Sequence, residues 1–176
     1  MSQKLARSQL TGVERAFDAN EFIVSKTDIK GHITYANNVF LRISDYEEDE
    51  VLGQPHSMIR HPDMPRCVFR LLWERIQSGR EIFAYVVNAA KNGDHYWVLA
   101  HVTPTFDMNG NTTGFHSNRR KPRAEQVATV KPLYDRLVAL EDGHADRRQG
   151  LEDSTLLLNR ILSEKGLSYD EFVLSA

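Results

Sequence analysis

The sequence predicts an α+β domain in which antiparallel strands carry their helices on one side of the sheet. Three observations predict it. "EIFAYVVNAAKNGDHYWVLAHVTP" holds two β-rich runs joined by "KNGD", a hairpin turn signature. "EFIVSKTD" and "HITYA" are a second pair of short apolar runs, separated by the glycine turn "IKGH". Between the two pairs lie polar-started, proline-broken and helically periodic segments, so the helices interrupt the sheet in sequence.

The elements follow in order. Residues 1–19 are polar, with Leu10, Val13 and Phe17 spaced by three and four, which predicts a short amphipathic helix. The first hairpin comes next. "NNVFLRIS" starts with asparagines suited to opening a helix. "DYEEDEVLG" is acidic at its front and ends in glycine, so its negative charge sits at the positive end of a short helix dipole. A longer helix begins at Pro65, where a first-turn proline is tolerated. Phe69, Leu72, Trp73 and Ile76 recur at helical spacing, and Gly79 ends the run. The strong hairpin is followed by another through "DMNGN" into "TTGFHSNRRKP". Residues 123–176 read as two helices, "EQVATVKPLYDRLVAL" and "LEDSTLLLNRILSEKG", joined by "EDGHADRRQG" as an exposed linker. The organisation is a helical extension over 1–19, a domain over 20–122 and a helical extension over 123–176.

Composition narrows the function. The 176 residues carry a formal net charge of −2, so no global basic field would hold nucleic acid. The single cysteine excludes an internal disulfide and fits a reducing compartment. No run approaches the ~20 apolar residues of a membrane span, and "MSQKLARSQL" lacks a signal-peptide core. The expectation is a cytoplasmic protein without direct membrane insertion.

The densest chemistry is "HSMIRHPDMPRCVF", residues 56–69. His56 and His61 are five apart among prolines, which is not the spacing of a helical zinc site. Cys67 has no partner cysteine, and its plainest reading is a small buried hydrophobe. No Gly-x-Ser-x-Gly elbow or phosphate-cradling glycine loop is present, so nothing marks an enzyme. Arg60 paired with Asp63 on a solvated loop would be worth little. The prolines instead stiffen the backbone where polar groups are presented beside Met58, Ile59 and Met64, as the wall of a cofactor pocket requires. In "HYWVLAHV", Tyr96, Val98, Ala100 and Val102 share one strand face. Asn88 interrupts an apolar strand, either at a sheet edge or pointing into a cavity.

The strings "YANNVF", "GQPHSMIRHPDMP", "KNGDHYWV" and "SNRRKP", in this order, resemble a PAS domain over about residues 20–123. More narrowly, they resemble the flavin-binding PAS module of Aer-type aerotaxis receptors. The resemblance implies a five-stranded antiparallel sheet holding FAD against short helices. It places Asn37, His56, Arg60, His61, Asp63, Phe69, Trp73 and Asn88 at or near the cofactor. Arg119 alternates with Ser117 and Phe115, so one strand face can aim it inward, where it or Arg60 would respond to the ring's charge. The implied role is a non-enzymatic sensor of redox or oxygen status. Its partner would be a separate transducer, such as a membrane-bound chemoreceptor, and a homodimer is expected. The membrane anchor and methyl-accepting coiled coil of those receptors are not in this sequence, which favours a stand-alone protein over an excised sensor. Competing readings are a haem gas sensor using His56, His61 or His95, a cofactor-free interaction module, and a blue-light photoreceptor. The photoreceptor motif Asn-Cys-Arg-Phe is absent, and Cys67 lies in a different string.

Overall fold

The computed structural model describes residues 6–176. Five strands form one antiparallel sheet in the order β2-β1-β5-β4-β3. They are β1 (Ile23–Asp28), β2 (Ile33–Ala36), β3 (Ile82–Ala89), β4 (His95–Phe106) and β5 (Thr112–Arg120). The two hairpins meet because the last strand returns between them: Ser25 pairs with Ser117, and Ala100 pairs with Arg119. β5 is therefore central, and a side chain on it projects into the middle of the sheet.

Between β2 and β3 lie α1 (Asn38–Ser44), α2 (Glu48–Val51), a 3-10 turn at His56–Ile59 and α3 (Arg66–Gln77). Asn37 starts α1 by accepting from the Phe40 N–H at 2.9 Å. The short helices pack Phe40, Val51, Met58, Ile59 and Val68 into the core. α3 ends at Ser78, followed by Gly79 at φ +77°. The α+β order, the five-stranded sheet and the one-sided helical insert agree with the fold class read from the sequence.

The N-terminal segment departs from it. No helix spans Leu10, Val13 and Phe17; the single regular turn is a 3-10 turn at Arg7–Gln9, and residues 1–5 lie outside the described part. The chain instead runs extended along the β3–β4 hairpin. Thr11 N–H donates to Gly93 C=O at 3.0 Å, His95 N–H to Val13 C=O at 2.9 Å, and Arg15 N–H to His95 C=O at 2.7 Å. Asp94 anchors this strap through Thr11 Oγ1 and Arg15 Nε. Those bonds and one from Asn92 hold its carboxyl down at about 2. A short isolated helix is marginal in water, and strand-like pairing to the hairpin satisfies the same backbone groups. Gly93 permits it: a Cβ there would lie 2.1 Å from Gln9 C=O.

The C-terminal extension is α4 (Ala124–Asp142), α5 (Arg147–Glu164) and a third helix, α6 (Tyr169–Ser175), which the sequence reading did not separate. The expected linker over 141–150 shrinks to the turn Gly143–Asp146. Glu141 is buried, and Asp146 caps α5 by accepting from the Arg148 N–H at 2.8 Å. Two of the charges that made this stretch look solvated, Glu141 and Asp146, are a clamp and a cap, while residues 145–149 are exposed as expected. Tyr134, Tyr169, Phe172 and Val173 bury against the β3 side of the sheet, and Tyr134 O–H donates to Tyr85 C=O at 2.7 Å. An edge strand with open backbone groups invites pairing with other chains; here the helices cover it. None of the helices described is long and apolar enough to cross a membrane.

Candidate functional site

A cavity of about 250 Å³ lies between the sheet and α3. The β1, β3, β4 and β5 faces supply Ser25 and Thr27, Val86 and Asn88, Ala100 and Val102, and Phe115, Ser117 and Arg119. Strand alternation puts each set on one side. Ile59 ends the 3-10 turn and Arg60 follows it, while Phe69, Leu72, Trp73 and Ile76 come from one α3 stripe. Its rim includes Lys30, Gly31, Pro55 and Ser57. Trp73 stands edge-on to Phe115, with ring centroids 5.6 Å apart. Gly31 has φ +83°, and a Cβ there would come within 2.9 Å of the Trp73 ring. The tight turn and the indole therefore meet at the opening.

The floor is polar and unusual in charge. Arg119 is buried and donates through Nη2 to His56 Nε2 at 2.6 Å and to Ser25 Oγ at 3.0 Å. Both partners are neutral. Burial, with the nearby Arg119 charge, pushes His56 down to about 3. His56 Nε2 is thus an unprotonated acceptor, and the remaining ring proton sits on Nδ1. Burial also lowers Arg119 to about 10, which leaves it charged at neutral pH. Arg60 is lowered to about 10, chiefly by burial, and its Cζ lies 3.9 Å from the Phe69 ring centroid. Among the described residues no carboxylate lines the cavity. Two guanidinium cations therefore share an apolar enclosure without a matching anion.

The decisive feature is unpaired donor capacity. Arg60 Nη2, Asn88 Nδ2 and Arg119 Nη1 are buried, and none has a hydrogen-bond partner among the described residues. Leaving such a group unmade costs about 1–3 kcal/mol, more for a charged one. Three of them on one cavity define a ligand with several acceptors along its edge and apolar faces. The backbones of Arg60 and Asn88 are themselves joined by an isolated antiparallel bridge, which fixes their spacing.

His56, Arg60, Phe69, Trp73, Asn88 and Arg119 are brought together from the residues singled out in the sequence. Asn37, His61 and Asp63 are not. Asn37 spends its side chain on structure: its Oδ1 accepts from Val24 and Phe40 N–H, and its Nδ2 donates to Phe22 C=O. His61 faces a neighbouring cleft with Arg7, Met64 and His144, and its Nδ1 accepts from the Asp63 N–H at 3.1 Å. Asp63 pairs with Arg7 rather than Arg60. These three fall outside the cavity because Pro62 and Pro65 turn the chain away after Arg60, and because an N-cap points along its helix. Sequence reasoning missed Ser25, Thr27 and Lys30. The small polar residues of "IVSKTD" at every second position were the available signal for Ser25 and Thr27.

Cys67 is buried outside this lining, and burial pushes its thiol up to about 12. That is an inert structural thiol. Among the described residues no cluster of three metal-ligating side chains occurs.

Comparison with known proteins fits this geometry. The family model described as PAS fold matches residues 33–118. The Aerotaxis receptor of Escherichia coli (strain K12) is 40% identical over 126 residues, which cover 72% of this chain and 24% of that protein. Phototropin-1A of Oryza sativa subsp. japonica is 28% identical over 83 residues, 47% of this chain and 9% of that one. The chain thus spans about a quarter or less of these relatives' lengths. A solved light-oxygen-voltage domain, studied with a flavin analogue, superposes with a TM-score of 0.55 at 21% identity. It covers 61% of this chain and 80% of that one, and it speaks for the fold alone. The sheet order, the helical insert and the family match together show a PAS fold, similar over 72% of this chain to part of the aerotaxis receptor.

Proposed function

We propose that the cavity binds a flavin nucleotide, FAD as the resemblance implies, and that the protein is a sensor of redox or oxygen status. The carrying observation is the set of buried unpaired donors, Arg60 Nη2, Asn88 Nδ2 and Arg119 Nη1, on one apolar cavity. An isoalloxazine ring has apolar faces and a line of carbonyl and nitrogen acceptors on its edge. Val86, Ala100, Val102 and Trp73 suit its faces, and the three donors suit its edge. When bound, the flavin supplies reversible electron transfer. The residues here would supply position and field: the two cations of the lining would favour any state in which the ring gains negative charge.

The proposed sensor domain spans 20–122, with residues 1–19 and 123–176 as extensions. The similarity to the aerotaxis receptor supports a sensor role, with signalling by contact with a separate transducer. A haem reading needs a free axial ligand. His56, the histidine of the lining, has Nε2 committed to Arg119 and Ser25, and His61 and His95 lie outside the lining.

Releasing the chromophore from freshly purified protein and identifying it by mass tests the proposal. FAD at near-stoichiometric yield is the expected result. Haem, or protein that neither carries nor takes up a flavin while properly folded, would contradict it.

A further inference from the structure

α3 has two working faces. One lines the cavity with Phe69, Leu72, Trp73 and Ile76. The other meets the C-terminal helices through Arg66, Cys67, Arg70 and Arg75. The first turn of α3 lacks a cap of its own, because its N-cap is Pro65. Its free N–H groups are taken by a carboxylate from far along the chain. Glu141 Oε2 accepts from Arg66 N–H and Arg66 Nε, both at 2.9 Å, and Oε1 accepts from Cys67 N–H at 3.0 Å and Ser154 Oγ at 2.8 Å. Glu141 is 5% exposed.

The clamp is closed from behind. α5 crosses Glu141 at Gly150, where a Cβ would lie 2.7 Å from the Glu141 carbonyl oxygen, and Arg66 Nη1 donates to Arg147 C=O at 2.8 Å. One carboxylate therefore joins α3, α4 and α5. A charge-assisted bond from a carboxylate to helix N–H groups is among the stronger protein hydrogen bonds. From Cys67 it is half a turn to Phe69, whose ring carries the Arg60 guanidinium with its unpaired Nη2. Two contacts, Glu141 on the first turn of α3 and Arg60 on the Phe69 ring, thus connect the α4–α5 corner to a cation of the cavity.

We infer that Glu141 is a positioning residue for the cavity, and that through it the C-terminal helices and the cavity's occupant stabilise each other. The ligand arm of this inference rests on the flavin reading above. Glu141 sets where Phe69 and Arg60 stand. A ligand that engages Arg60 in turn holds α3, and with it Glu141 and the α4–α5 corner. Coupling of this kind is reciprocal: what the corner adds to ligand affinity, the ligand adds to the corner's stability. The α4–α5 corner becomes the part of the surface that reports occupancy.

The test is amide hydrogen exchange, read by mass, on the full chain as wild type and Glu141→Gln, without flavin and with saturating FAD. Without flavin, Glu141→Gln is expected to speed exchange in residues 57–73 together with 139–155, while β1 and β5 keep wild-type rates. With FAD, wild type should slow in 139–155 and the variant should not, and FAD affinity should fall about five- to tenfold. A change confined to 139–155, or a rise spread equally over β1 and β5, would overturn the inference. So would an FAD effect on 139–155 that is the same in both proteins. If Glu141→Gln does not fold, Ser154→Ala removes one donor to the same carboxylate and should move the same peptides in the same direction by less; an unmoved 57–73 would overturn the inference. A wild type that takes up no FAD contradicts the flavin reading, and the flavin-free arm then decides the positioning role by itself.

Discussion

A half-buried imidazole and a buried guanidinium share the cavity floor, and only one of them carries a charge at neutral pH. His56 accepts from Arg119, and burial beside that cation holds it down to about 3, against 6.5 in an unfolded chain. The unfolded state therefore binds the extra proton first as pH falls. Stability from this residue is complete above about pH 6.5 and declines toward the folded value, by about 1.4 kcal/mol per pH unit. At pH 5 wild type should have lost about 2 kcal/mol through His56 relative to pH 7. His56→Gln keeps an acceptor for Arg119 without titrating, so its denaturant midpoint should fall less between pH 7 and pH 5. Equal slopes for both proteins would show that His56 is protonated in the folded state. Part of this lining was legible in residue types, as a guanidinium that one strand face can aim inward and a proline-stiffened turn; Asn88 read equally as a sheet-edge residue until the PAS resemblance placed it at the cofactor. Asn37 was placed near the pocket because the residue type that caps a helix also serves a ligand; only its hydrogen bonds to Val24, Phe22 and Phe40 separate the two uses.

At the scale of elements, the cavity depends on two junctions. The β1–β2 turn meets α3 where Gly31, at φ +83°, passes under Trp73. Gly31→Ala imposes a left-handed backbone on a residue that avoids it, at about 1 kcal/mol, and drives its methyl into the indole. Thermal unfolding should shift down by several degrees and Trp73 fluorescence should change; an unaltered melt and emission would mean that this junction is slack. The second junction is Tyr134 with Tyr85. Tyr134→Phe leaves the Tyr85 carbonyl of the β3 edge without its donor, at a cost of about 1–3 kcal/mol in denaturant unfolding. A near-zero effect would show that the carbonyl finds another partner, Tyr169 O–H being the nearest hydroxyl to Tyr134 at 3.4 Å. The hairpins were readable because alternation and "KNGD" are local signals. The N-terminal strap was not: Leu10, Val13 and Phe17 have helical spacing, but the backbone groups around them are satisfied by Gly93 and His95 some eighty residues away. The α4–α5 corner was misread for the same reason, since the partner of Glu141 is the first turn of α3.

For the molecule as a whole, the sheet and the helical insert enclose a cationic, donor-rich space without fixing an anion in it. The strand order, with the last strand returning between the hairpins, was not read from the sequence, but the five-stranded sheet followed from it through the resemblance to a PAS domain. The wrapping of α4 and α6 around β3 did not, because a helical period states that a face is buried and not what buries it. The central claim is that the Arg119 charge acts on a flavin ring held in this cavity. The most direct measurement is the midpoint potential of the bound flavin in wild type and in Arg119→Gln, by spectroelectrochemical titration on matched, folded proteins. Removing a cation near the ring should lower the one-electron potential by about 60 mV for each tenfold loss of preference for the reduced form. A potential that falls by roughly this amount or more, with His56 and Ser25 still in place, is the predicted result. Identical potentials in the two proteins, each with flavin fully bound, would contradict the account.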